Sequence, residues 1–268
     1  MEVIQQDETT RKRFVGPLAE HLCPAKTAAR AAEFERQMRE PHPGEVARIR
    51  RECGLPPGSP CGLAALDEDE DNHEAMAAAR QFLANFQAGK RSDWLVFYGP
   101  VGVGKSTLSK ALAFDIAHKT GAKMLAGEHR PRVNWGPQAS ALWLNMPSFF
   151  EDLKRGFGGG NSRVDVDRMR RAHCLFFDEF LNEQASLWTV DTYARLLNER
   201  LEDGRALVLS GNYSPGEFYL GALKAAQRVN ASDDDLRVEM KAKGILDRIK
   251  EQGRVVEMRG TSRRRVYE

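Results

Sequence analysis

The stretch Trp94-Leu95-Val96-Phe97-Tyr98-Gly99-Pro100-Val101-Gly102-Val103-Gly104-Lys105-Ser106-Thr107 decides the reading of the whole chain. Its first half, Trp94–Tyr98, is continuously apolar or aromatic and predicts a buried strand. Its second half, Gly99–Thr107, spells Gly-x-x-x-x-Gly-Lys-Ser-Thr, and a helical pattern runs on from Ser106 to His118. Glycines let backbone N–H groups converge on one anion, and the positive end of the following helix points at the same place. Between a strand and a helix this spacing is a phosphate-binding loop. It assigns ATP and Mg²⁺ as ligands of Gly99, Pro100, Val101, Gly102, Val103, Gly104, Lys105, Ser106 and Thr107. Lys105 is expected at the β- and γ-phosphates, and the Ser106 hydroxyl on the metal.

Working outward, four more short apolar runs read as strands: Ala141–Asn145, His173–Phe177, Ala206–Ser210 and Arg254–Met258. Helical patterns at 147–154, 186–203 and 236–250 alternate with them, and Met76, Ala79, Leu83 and Phe86 mark an amphipathic helix upstream. Alternation of this kind predicts an α/β fold, a five-stranded mainly parallel sheet flanked by helices. Loops are expected over 126–140 and over the glycine-rich 156–162. The run Leu175-Phe176-Phe177-Asp178-Glu179 carries an apolar strand into two carboxylates at its C-terminal end, where such sheets place ligands. Asp178 suits the Mg²⁺ shell, and Glu179 suits a general base acting on water. Asn212, after Leu209-Ser210-Gly211, reaches the same site if its strand neighbours Trp94–Tyr98.

The rest of the chain bounds the problem. Its 268 residues hold 40 basic and 38 acidic side chains, a formal charge of +2, so any nucleic-acid contact has to be local. No apolar run approaches the ~18 residues of a membrane span, and the polar N-terminus lacks a secretory pattern, so a cytoplasmic chain is expected. Cys23, Cys53, Cys61 and Cys174 are too few for a disulfide scaffold, and their spacing favours free thiols over zinc. Residues 1–57 read as a small helical module, with helices over 25–40 and 45–53. A Pro- and Gly-containing linker with the acidic run Asp67–Asp71 follows over 58–72, and a catalytic domain over 73–268.

Gly99–Thr107 as Walker A, Asp178-Glu179 as Walker B and Asn212 as a sensor together resemble the AAA+ ATPases. Arg50-Arg51-Glu52-Cys53-Gly54-Leu55-Pro56, Leu246-Asp247-Arg248-Ile249 and Arg254–Gly260 are similar to the flanks of DnaC-type helicase loaders and of the IstB transposition ATPases. Only 56 residues follow Asn212, so no C-terminal helical lid is expected, as in those compact families. The resemblance implies that Arg248 is an arginine finger for a neighbouring subunit, within a self-associated ring or spiral. Arg228 and Arg237 compete for that role, because the stretch 213–237 is long. The resemblance also implies single-stranded DNA held by Phe157, Ser186, Trp188 and Arg163, with Lys154 and Arg155 nearby; the alternative for Trp188 is to cap the core. It further implies that the N-terminal helices, with Leu18, Leu22, Phe34 and Met38, grip a hexameric DnaB-like replicative helicase. Three functions follow from the sequence: a helicase loader, an IstB-type helper acting on duplex DNA with a transposase, and a small-molecule kinase on the same phosphate loop.

Overall fold

The computed structural model describes residues 41–88, 94–125, 141–157, 166–182, 186–228 and 231–263. The chain forms two compact units, Met1–Val46 and Ala47–Glu268. The expected helix over 25–40, the four apolar residues on it and before it, Cys23, the 126–140 loop and Arg163 lie outside the described residues.

The helices are α1 (Pro43–Cys53), α2 (His73–Gln87), α3 (Lys105–Leu125), α4 (Met146–Phe157), α5 (Val166–Arg171), α6 (Leu187–Glu202), α7 (Pro215–Ala226) and α8 (Asp233–Gln252). The strands are β1 (Trp94–Tyr98), β2 (Ala141–Asn145), β3 (Cys174–Asp178), β4 (Ala206–Gly211) and β5 (Gly253–Glu257). They form one sheet in the order β2-β3-β4-β1-β5, and every pairing is parallel. Strand alternation divides the core between two faces. Trp94, Val96, Leu175, Phe177, Leu207 and Leu209 join Tyr193, Leu197, Ile245 and Ile249 of α6 and α8 in one cluster. The opposite set, including Leu95, Phe97, Phe176 and Val208, is equally buried, and α2 and α3 lie against that side of the sheet.

Local chemistry explains the element boundaries. Ser186 caps α6 by accepting the Thr189 N–H, and Ser214 with Glu217 forms a full capping box at α7, with Pro215 in the first turn. Ser232 and Asp235 do the same at α8, so Asp233-Asp234-Asp235 is the first turn of that helix and complements its dipole. The sequence places this helix only from Leu236 and leaves 213–235 unassigned. At the N-terminal end of the sheet, buried Arg200 donates to the carbonyls of Ala172, His173 and Ala206 at 2.7, 2.9 and 2.8 Å. It ties the starts of β3 and β4 together, and burial lowers its pKa to about 10.

The segment 58–72, expected to be a linker, is packed into the second unit. Ser59, Leu63 and Asn72 are buried, and the Leu63 N–H donates to Asp115 Oδ2 of α3 at 2.9 Å. Gly62 has φ +101°, and a Cβ there would lie 2.6 Å from Asp115 Oδ1, so the Pro- and Gly-rich composition here specifies a close turn. Leu55 and Cys53 are buried too, so the compact unit opens at Ala47 and not at residue 73. Cys53 and Cys174 are buried free thiols, and Cys61 is an exposed one. No group of three or more His, Cys, Asp or Glu side chains among the described residues is arranged to hold a metal ion. No described helix is long and apolar enough to cross a membrane. None of the described residues after Gln252 is helical.

Candidate active site

Strand order assembles the site. β4 lies between β3 and β1, with Asp178 opposite Ser210 and Tyr98 opposite Gly211, so the phosphate loop, Asp178-Glu179 and Asn212 meet at the C-terminal edge of the sheet. A cleft of about 380 Å³ opens there. Val101, Gly102, Val103, Gly104, Lys105, Ser106, Thr107, Asp178, Glu179 and Asn212 all line it.

Lys105 is 7% exposed, and its Nζ donates to the carbonyls of Gly99 and Pro100 at 2.8 and 2.6 Å. The ammonium is therefore held against the loop by two backbone acceptors of modest strength, from which a phosphate can take it. Gly99 has φ +142°, and a Cβ there would lie 2.1 Å from the Met258 carbonyl oxygen, so only glycine fits.

Asp178 is buried and accepts two hydroxyls on one oxygen: Ser106 Oγ at 2.8 Å and Ser210 Oγ at 2.5 Å. Sequence reasoning missed Ser210; its signal was a hydroxyl one register step across from Asp178, readable only once β3 and β4 are known to pair. The Ser106 hydroxyl beside a carboxylate oxygen is a hard oxygen donor set of the kind that holds Mg²⁺ with several of its waters retained.

Glu179 follows with φ +58°, and Leu181 with φ +61°, both left-handed without being glycine. Such a conformation costs about 1–3 kcal/mol and persists where surroundings over-determine it. Here Phe180 and Leu181 are buried, and the Phe180 N–H donates to the Ser210 carbonyl at 2.8 Å. The tight turn leaves Glu179 exposed on the cleft beside buried Asp178. A Cβ on Gly211 would lie 2.5 Å from the Phe180 carbonyl oxygen, which explains the glycine before Asn212.

The other wall was not anticipated. Leu66, Asp67, Asn72 and Met76, from the supposed linker and α2, line the cleft with Met258 and Arg263 from beyond β5. Asn72 is held by its own turn: its Nδ2 donates to the Asp67 carbonyl at 2.8 Å, and its Oδ1 accepts the Asp69 N–H at 2.9 Å. Leu66, Met76 and Met258 add apolar and thioether surface of the sort that takes a flat ring.

Comparison with known proteins bears on the fold. The crystal structure of DnaI superposes with a TM-score of 0.54 at 20% identity, covering 83% of this chain and 94% of that one. The crystal structure of the DnaC helicase loader gives 0.52 at 16% identity, covering 74% and 97%. The fold is that of the DnaI and DnaC loaders. In sequence, the replicative helicase loader DnaI of Bacillus subtilis (strain 168) is 21% identical over 184 residues, 68% of this chain. That match spans about half, 51%, of the Bacillus protein. No family model matches the chain.

The remaining candidates sit away from the cleft of this loader fold. Arg248 is half-buried on α8; its Nε donates to Asn198 Oδ1 of α6, and its NH1 to the Gly244 carbonyl at 2.7 Å. It does not line its own cleft, and Arg228 and Arg237 are exposed. Trp188 is half-buried, edge-on to Phe150 with ring centroids 5.3 Å apart, so it covers the core from its margin. Lys154 Nζ stands 5.5 Å from the centre of the Trp188 ring. Ser186, Trp188 and Lys154 are thus brought to one edge, although the Ser186 hydroxyl is engaged as the α6 cap. Phe157 is the last residue of α4, on the same helix as Lys154.

Proposed function

We propose that this chain is an ATPase that loads a replicative helicase onto single-stranded DNA. The observation that carries the reading is the convergence, in a loader fold, of Lys105, Ser106, Asp178, Glu179 and Asn212 on one cleft.

The chemistry follows from the side chains. The loop N–H groups and Lys105 bind the polyphosphate, with the ammonium exchanging the Gly99 and Pro100 carbonyls for phosphate oxygens. Ser106 and Asp178 would hold Mg²⁺, which would supply positive charge against the phosphates. Glu179, exposed on the cleft, accepts a proton from the attacking water. Asn212 orients that water or the terminal phosphate. Arg248 acts on a neighbouring copy, since within its own chain it is tied to α6 and does not line the cleft. A permanently charged planar fork suits that contact, and it makes hydrolysis depend on assembly into a ring or spiral. Single-stranded DNA would run past Ser186, Trp188 and Lys154, and Phe157 and Arg163 are proposed as further contacts. Residues 1–57 are proposed to grip the helicase, a hexamer of the DnaB kind.

The test uses the full chain with a purified hexameric replicative helicase. Co-elution with the helicase, lost on removing residues 1–46, which leaves the second compact unit whole, together with ATP turnover stimulated by single strands, supports the loader. Stimulation by duplex alone, without helicase binding, would replace it with the transposition helper, and turnover independent of DNA and of protein concentration with a small-molecule kinase.

A further inference from the structure

Arg263 and Asp69 join the two walls of the nucleotide cleft. Beyond β5 the chain runs back over the phosphate loop, where the Met258 N–H donates to the Tyr98 carbonyl at 2.7 Å and the Arg263 N–H to the Gly102 carbonyl at 2.9 Å. The approach is close, since a Cβ on Gly102 would lie 2.2 Å from Ser262 Oγ. The backbone of Arg263 is therefore fixed to the phosphate loop, while its guanidinium donates to Asp69 Oδ1 at 2.7 Å. Asp69 belongs to the opposite wall, between Asp67 and Asn72, which line the cleft with Arg263.

The charge balance gives this bridge a consequence. Among the described residues lining the cleft, Lys105 and Arg263 are the cations, against the carboxylates of Asp67, Asp178 and Glu179. Phosphate oxygens offer a guanidinium a bidentate, charge-assisted contact, whereas the contact with Asp69 is one bond to a carboxylate half exposed to water. Arg263 cannot lose its proton, so it changes partner rather than charge.

We propose that Asp69 is a competing ligand for the Arg263 guanidinium, set against the phosphates of the nucleotide and lowering the affinity of the cleft for them. The proposal rests on the nucleotide reading above and adds to it a residue that works against binding.

Asp69→Asn isolates the effect. Asp69 Oδ1 also accepts the N–H groups of Asp71 and Asn72, each at 3.1 Å, and an asparagine oxygen keeps both bonds while the charge goes. Equilibrium titration with ATP and Mg²⁺ should show Asp69→Asn binding up to about five-fold more tightly, the range set by exposed ion pairs. Arg263→Gln should bind more weakly, and Asp69→Asn should have no further effect in that background. Unchanged or weaker binding by Asp69→Asn overturns the competition. So does an equal gain with and without Arg263, which would make Asp69 a general repulsive charge. A wild-type chain that binds no ATP removes the nucleotide reading itself, a distinct result.

Discussion

Ser210 offers the sharpest test of how Asp178 is held. The residue is 1% exposed, and its hydroxyl donates to a buried carboxylate at 2.5 Å, on a strand paired in register with β3. A hydrogen bond to an ionised group is worth about 1.5–3 kcal/mol net, and here one oxygen carries both this bond and that from Ser106. Ser210→Ala should therefore lower stability by about 1.5–3 kcal/mol, or about 3–12 °C in Tm for a unit of this size. The cost should depend on the carboxylate. In an Asp178→Ala background Ser210→Ala should cost less than about 0.5 kcal/mol, because the hydroxyl then has no ionised partner to lose. Urea unfolding of the four proteins, followed by circular dichroism, measures the cycle. An equal cost of Ser210→Ala with and without Asp178 would refute the coupling, and Ser210 would be a packing residue only.

Three further outcomes follow from the same structure. Arg200→Met should destabilise by about 3–5 kcal/mol, since it leaves buried carbonyls at the starts of β3 and β4 without their donor; denaturant midpoints check this, and a loss under about 1 kcal/mol would contradict it. Burial raises the Cys53 thiol from 9.0 to about 12, so above pH 9 the unfolded chain loses a proton that the folded chain keeps, and stability should fall between pH 9 and pH 12. Cys53→Ala should flatten that decline, and a slope identical to wild type would count against it. Glu179→Gln should keep ATP affinity within about two-fold while turnover drops at least ~100-fold in a steady-state phosphate-release assay; normal turnover would move the general base elsewhere.

The sheet was legible because each strand is a short apolar run ending in a recognisable polar signal, and the five runs match β1 to β5 to within a residue or two at either end. The phosphate loop, Asp178-Glu179 and Asn212 were legible for the same reason, as chemistry placed at strand ends. What escaped depends on pairing and return of the chain. Ser210 gains its role only from lying opposite Asp178. Arg263 lies 158 positions after Lys105 in numbering, and only its Gly102 contact places it at the cleft. The part of the cleft wall within 58–72 reads as linker because proline, glycine and acidic residues usually mark exposed chain, whereas Leu55, Leu63 and the Asp115 contact anchor it. Helix α7 did carry a signal, Ser214-Pro215-Gly216-Glu217, a capping box with proline in the first turn.

The central claim is that Lys105 and its loop bind the phosphates of a magnesium-bound nucleotide. Isothermal titration of the full chain with ATP, with and without Mg²⁺, beside Lys105→Ala, tests it most directly. The account predicts saturable, magnesium-dependent heat from the wild type and none from the variant. Identical titration curves from the two proteins would contradict it.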